Sequence, residues 1–196
     1  MKHQQFILAE QRILEKLKRD LSPNLHYHGY DHTIDVLNAS LKIAEAEKVS
    51  EIELKLIRIA ACYHDSGFLH VYQNHEVKGC ELATECMLEL NFTANEIELV
   101  CGMIMATKIP QAPKNLLECI IADADLDYLG RKDVFEIADC LRKELKVYFN
   151  LNDENIWNQK QVEFLTSHQY HTEFSKKNRN PNKLKYIKKI ENKLKS

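Results

Sequence analysis

SEIELKLIRIAACYHDSG, residues 50–67, opens on a helix signal and ends on a pair of side chains that a protein core seldom tolerates. Ser50 and Glu53 form a capping box: the hydroxyl can accept from the amide three residues on, and the carboxylate can reach back to the cap's own amide. Apolar residues then run through Ala60-Ala61, so the spacing predicts a buried helix ending near Asp65, with Gly67 closing it. At that buried end stand His64 and Asp65. Burying a carboxylate beside an imidazole is costly unless something pairs with both. A divalent cation does so, because neutral imidazole and carboxylate are good ligands for one. Two adjacent residues cannot fill a coordination shell, so further ligands are expected from elsewhere in the chain.

Working outward, helical periodicity dominates and strand-like alternation is nearly absent, which makes the fold all-α. One helix is expected over about 2–19, with Phe6, Ile7, Ile13, Leu14 and Leu17 giving its apolar face. Others are expected over about 30–47, 74–90, 93–106 (opened by a second capping box, Thr93 with Glu96), 114–129, 132–148 and 154–168. Asn180-Pro181 should then break the chain before a last basic helix. The 196 residues suit one domain, and nothing reads as a linker or a repeat.

Composition excludes several classes. The formal net charge of -2 gives no basic field for a nucleic-acid polymer. Residues 176–195 concentrate lysine and arginine, which suits either a solvated helix or contact with an anionic partner. No apolar run approaches the ~18–20 residues of a membrane span, and the charged N-terminus lacks a signal-peptide core, so a cytoplasmic protein is expected. Six scattered cysteines without a CxxC read as small core residues of a reducing compartment. Glycine-rich phosphate loops, a nucleophile elbow and a Cys-His pairing are absent from the sequence.

Two other segments offer ligands. In YHGYDHTIDVL, residues 27–37, His32 begins the inward face that Val36 and Ile43 continue. In IIADADLDYLG, residues 120–130, three aspartates interrupt an otherwise buried helix. Asp123 follows directly on Ile120-Ile121. Asp125 lies near the angle of Glu118, which looks exposed, so Asp123 is preferred over Asp125, with Asp127 one turn on as its support.

The pattern of a His, a His-Asp pair and a distant Asp resembles the HD-domain superfamily of metal-dependent phosphohydrolases, over residues of about 26 to 135. The resemblance implies an orthogonal helical bundle, with the helices of about 154–195 packed on it. It implies a divalent metal ion (Mn, Mg, Ni, Co, Fe or Zn) held by His32, His64, Asp65 and Asp123, with Asp65 also catalytic. It implies hydrolysis of a small phosphate ester, a nucleotide or phosphodiester, by metal-activated water. His28 and Lys78 are candidates to bind the phosphoryl group, and Glu76 a candidate general acid. Met103-Ile104-Met105-Ala106-Thr107 lacks the extra histidine of two-metal relatives, which favours one metal; His75 with Glu76 leaves a second open. The alternatives are a silent nucleotide- or partner-binding module and, further off, a di-iron oxygenase. Oligomeric state stays open, a homodimer included.

Overall fold

A computed structural model describes residues 2–195. Ten α-helices follow one another among them: α1 (Lys2–Asp20), α2 (Tyr30–Ala46), α3 (Glu51–Tyr63), α4 (His75–Glu89), α5 (Ala94–Met105), α6 (Leu116–Asp125), α7 (Val134–Phe149), α8 (Glu154–Ser167), α9 (Glu173–Asn178) and α10 (Asn180–Lys195). Single 3-10 turns, Ser66–Leu69 and Asp127–Gly130, follow α3 and α6. There is no strand among the described residues, as the periodicity led one to expect. Among the described residues no helix is long and apolar enough to cross a membrane, and the six cysteines are free.

Both expected capping boxes form, at Ser50–Glu53 and Thr93–Glu96. A third reciprocal cap opens α6, where the Asn115 side chain accepts from the Glu118 amide and the Glu118 carboxylate bonds back to the Lys114 amide and the Asn115 side chain. That bonding draws Glu118 inward to 9% exposure, against the expectation that it faces solvent. Helix 114–129 therefore starts later and stops at Asp125, where the chain tightens into the 3-10 turn. Likewise α3 stops at Tyr63, and Gly67 sits inside the following turn rather than terminating the helix.

Two apolar cores organise the bundle. The larger is built by α1 to α6: α2 packs between α3 and α6, and α3 is crossed by α1 and α5. In α1 the buried face is Phe6, Ala9, Ile13 and Leu17, while Ile7 is turned outward. The smaller core gathers Leu126, Leu129, Val134, Trp157, Leu165 and Ile187, joining the turn after α6 to α7, α8 and α10.

Asn180 and Pro181 begin α10 rather than precede a break, since a proline in a first helical turn forfeits no internal hydrogen bond. The unexpected short α9 comes before them. Most lysines of α10 are solvated, but Lys183 is buried, its Nζ donating to the His168 carbonyl at 2.5 Å and to His168 Nδ1 at 3.2 Å. Burial and the Lys183 charge push the His168 imidazole down to about 3 from its ordinary 6.5. The unfolded chain then takes up a proton below its ordinary value that the folded chain refuses. Stability attributable to His168 is therefore full above pH 6.5 and falls as pH drops from there toward 3. The slope is at most about 1.4 kcal/mol per pH unit. Urea unfolding between pH 7 and pH 4.5 should show this loss, and it should be smaller in His168→Asn, whose amide oxygen keeps an acceptor for Lys183.

Candidate metal centre

His32 stands in the first turn of α2, His64 caps the C-terminus of α3, Asp65 follows it, and Asp125 is the last residue of α6. Helix packing brings all four to one point. His32 Nε2 lies 3.4 Å from His64 Nε2 and 3.2 Å from Asp125 Oδ1. His64 Nε2 lies 3.6 Å from Asp125 Oδ1 and 3.2 Å from Asp65 Oδ2, which is 3.4 Å from His32 Nε2. Ligand atoms around an ion with bonds of about 2.0–2.2 Å fall about this far apart.

The donor set fits a cation for a further reason. His64 Nδ1 donates to the Ala61 carbonyl at 2.8 Å, which leaves the Nε2 lone pair of the neutral ring aimed at the cluster. Asp65 Oδ2 is buried without a hydrogen-bond partner. Acceptor atoms thus converge on one buried point that either protons or a metal ion must neutralise. Without metal, protons serve. Burial opposes charge on His64, yet Asp65 and Asp125 outweigh it and hold the imidazole's proton well above its ordinary range. Burial likewise opposes ionisation of Asp125, but His32 and His64 take its carboxyl down to about 2. His32, His64 and Asp125 are a group that could hold a metal ion.

Asp123 is not there, and the preference for it over Asp125 is corrected. Its carboxylate turns to the chain before α9, accepting from the amides of His171 and Thr172 at 2.8 Å each and from the Thr172 hydroxyl at 2.6 Å. Burial raises its carboxyl above the usual range. The error began at Glu118: because that residue faces inward, Asp125, two turns later on the same face, is turned to the cluster, its side chain 14% exposed. Asp127 gives Asp123 no support either. It accepts from Arg179 at 2.7 and 3.2 Å and so ties the start of α10 to the turn after α6.

Lys78 is also corrected. Its ammonium bonds Glu81 at 2.7 Å on the outer side of α4. His28 does face the site, stacked on Phe68 with ring centroids 4.4 Å apart. His75 stacks on Phe68 too, 4.0 Å away, and its ring centroid lies 6.1 Å from that of His28, so Phe68 packs against both imidazoles. His75 Nε2 is 3.4 Å from Asp65 Oδ1 and 3.6 Å from Glu76 Oε1. Burial disfavours charge on His75, but Asp65 reverses that and raises its pKa. His70 is exposed in the loop before α4.

Sequence reasoning missed Glu144, which is fully buried in α7. Its carboxylate pairs with the His28 ring and accepts from the amides of Tyr27 and His28 at 2.8 and 3.0 Å and from the Tyr72 hydroxyl at 2.8 Å. The available signal was a glutamate within the inward stripe Val134, Ala138, Leu141, Leu145. Phe68 and the close approach at Gly67 were missed too. A methyl group at Gly67 would meet the His75 backbone oxygen at 1.9 Å, so only glycine lets α4 approach the metal turn.

The two aspartates should separate cleanly on substitution. Asp125→Asn should bind divalent metal at least tenfold more weakly while remaining folded. Asp123→Ala should lose about 2–4 kcal/mol of stability by leaving two amides unpaired. Calorimetric metal titration and denaturant unfolding of both variants check this, and the reverse assignment would restore Asp123 to the site.

No curated protein and no solved structure matches the chain. A family model does: the HD domain, over residues 29–127, a span that begins just before His32 and ends just after Asp125. That span is about half of the 196 residues and contains all four members of the cluster, and the chain belongs to the HD-domain family.

Proposed function

We propose that the chain is a metal-dependent phosphohydrolase acting on a small-molecule phosphate ester. The observation that carries this is the convergence of His32, His64, Asp65 and Asp125, two imidazoles and two carboxylates on one buried point with an unpartnered carboxylate oxygen among them. A divalent ion held there supplies Lewis acidity to a phosphoryl oxygen and acidifies a bound water.

The chain's own residues do the rest. Asp65 faces the cluster through Oδ2 and His75 through Oδ1, which places it to ligate and to orient the attacking water at once. His75, 3.4 Å from Asp65 Oδ1 at the cavity floor, replaces Lys78 as the group that meets the transferring phosphoryl group. His28, fastened by Glu144 and stacked on Phe68, stands beside it. Glu76 is buried at the cavity wall within reach of His75, which suits it to exchange a proton with the leaving group through that ring. One metal accounts for the cluster, and Thr107 is occupied by a bond to the Ile104 carbonyl.

The test is turnover of a panel of phosphomonoesters and phosphodiesters with Mn²⁺, Co²⁺, Ni²⁺ or Mg²⁺, against Asp65→Asn and against chelator. Hydrolysis should require metal and fall at least about 100-fold in the variant. A folded, metal-loaded protein with no turnover on any ester would favour the silent binding module instead.

A further inference from the structure

The cluster opens into a cavity of about 460 Å³ walled largely by the smaller apolar core, within the size range of small-molecule sites. Its floor is chemical: His28, Asp65, His75 and Asp125 line it. Its walls are not. Leu129, Leu141, Leu145, Trp157, Phe164 and Tyr186 surround the space above the floor.

Three of the polar side chains lining the cavity, Gln161, Thr107 and Tyr72, are already engaged. The Gln161 amide accepts from the Tyr186 hydroxyl at 2.6 Å and donates to Asn158 at 3.3 Å. The Thr107 hydroxyl donates to the Ile104 carbonyl at 2.8 Å, and the Tyr72 hydroxyl to Glu144 at 2.8 Å. Lys160 is exposed at the rim. Reading a nucleobase or a ribose needs uncommitted donors and acceptors at fixed positions. An apolar wall instead rewards the removal of hydrocarbon from water.

Resting on the hydrolase reading above, we infer that the substrate is a phosphate monoester of an apolar alcohol, alkyl or fused aromatic, rather than a nucleotide. The phosphate sits on the floor at His28 and His75, and the hydrocarbon fills the space between α7 and α8. Water adds to phosphorus as the bond from phosphorus to the alcohol oxygen breaks. The alcohol leaves with a proton, and inorganic phosphate remains.

The test has two arms on the full chain. In the first, kcat/KM with Mn²⁺ is measured for ethyl, butyl and hexyl phosphate, 1-naphthyl phosphate and adenosine 5′-monophosphate. It should rise about fourfold per added methylene, with 1-naphthyl phosphate above the nucleotide. In the second, 1-naphthol is titrated into metal-free protein while the emission of Trp157, the single tryptophan, is followed. Saturable quenching is expected, and Leu141→Arg should abolish it. A flat alkyl series, or a nucleotide preferred over the apolar esters, overturns the inference and leaves the hydrolase intact. Saturable quenching without turnover of any ester overturns the hydrolase and leaves the apolar chamber. Neither quenching nor turnover overturns both.

Discussion

His32, His64, Asp65 and Asp125 bring lone pairs, not donors, to one place that water barely reaches. Four such groups repel one another and have forfeited hydration, so the arrangement stands only if positive charge is supplied. Protons supply it in the metal-free protein, and a divalent ion supplies it better, because one ion satisfies all four groups together. Much of the surrounding structure serves to hold these residues against that cost. The α3 helix delivers His64 and Asp65 from a fully apolar last turn, α2 lays His32 alongside, and α6 stops at Asp125.

Around that point lies a supporting shell that orients rather than binds. The Ala61 carbonyl fixes the His64 tautomer, and Tyr27 lies against His32 with centroids 4.5 Å apart. Phe68 packs against both His28 and His75, and Glu144 reaches from α7 to hold the loop that carries His28. This last link crosses from the smaller core to the larger. The C-terminal helices thus set the shape of the cavity and anchor one of its polar residues.

His32, His64 and Asp65 were legible in the sequence because each breaks a strong local pattern: a histidine on an inward helical face, and a charged pair at the end of an apolar helix. Both capping boxes were legible because they depend on contacts three residues apart. Asp123 and Asp125 were not separable in this way. Both are acids on one short helix, Asp123 fully buried and Asp125 largely so, and which points to the metal depends on the helix's rotation. Asn115 and Glu118 reveal that rotation only once Glu118 is seen to cap the helix. Lys78 was misplaced because its helix rotation turns it toward Glu81, and Glu144 was overlooked because its partners lie more than 70 positions away in sequence. Long-range pairing of buried charge leaves little trace in local spacing.

The most direct measurement is anomalous X-ray scattering at the manganese edge from crystals of the full chain grown with Mn²⁺. One peak per chain is expected, within bonding distance of His32 Nε2, His64 Nε2, Asp65 Oδ2 and Asp125 Oδ1. A peak bonded to Asp123, or ordered protein at this site with no metal at saturating Mn²⁺, would contradict the metal centre described above.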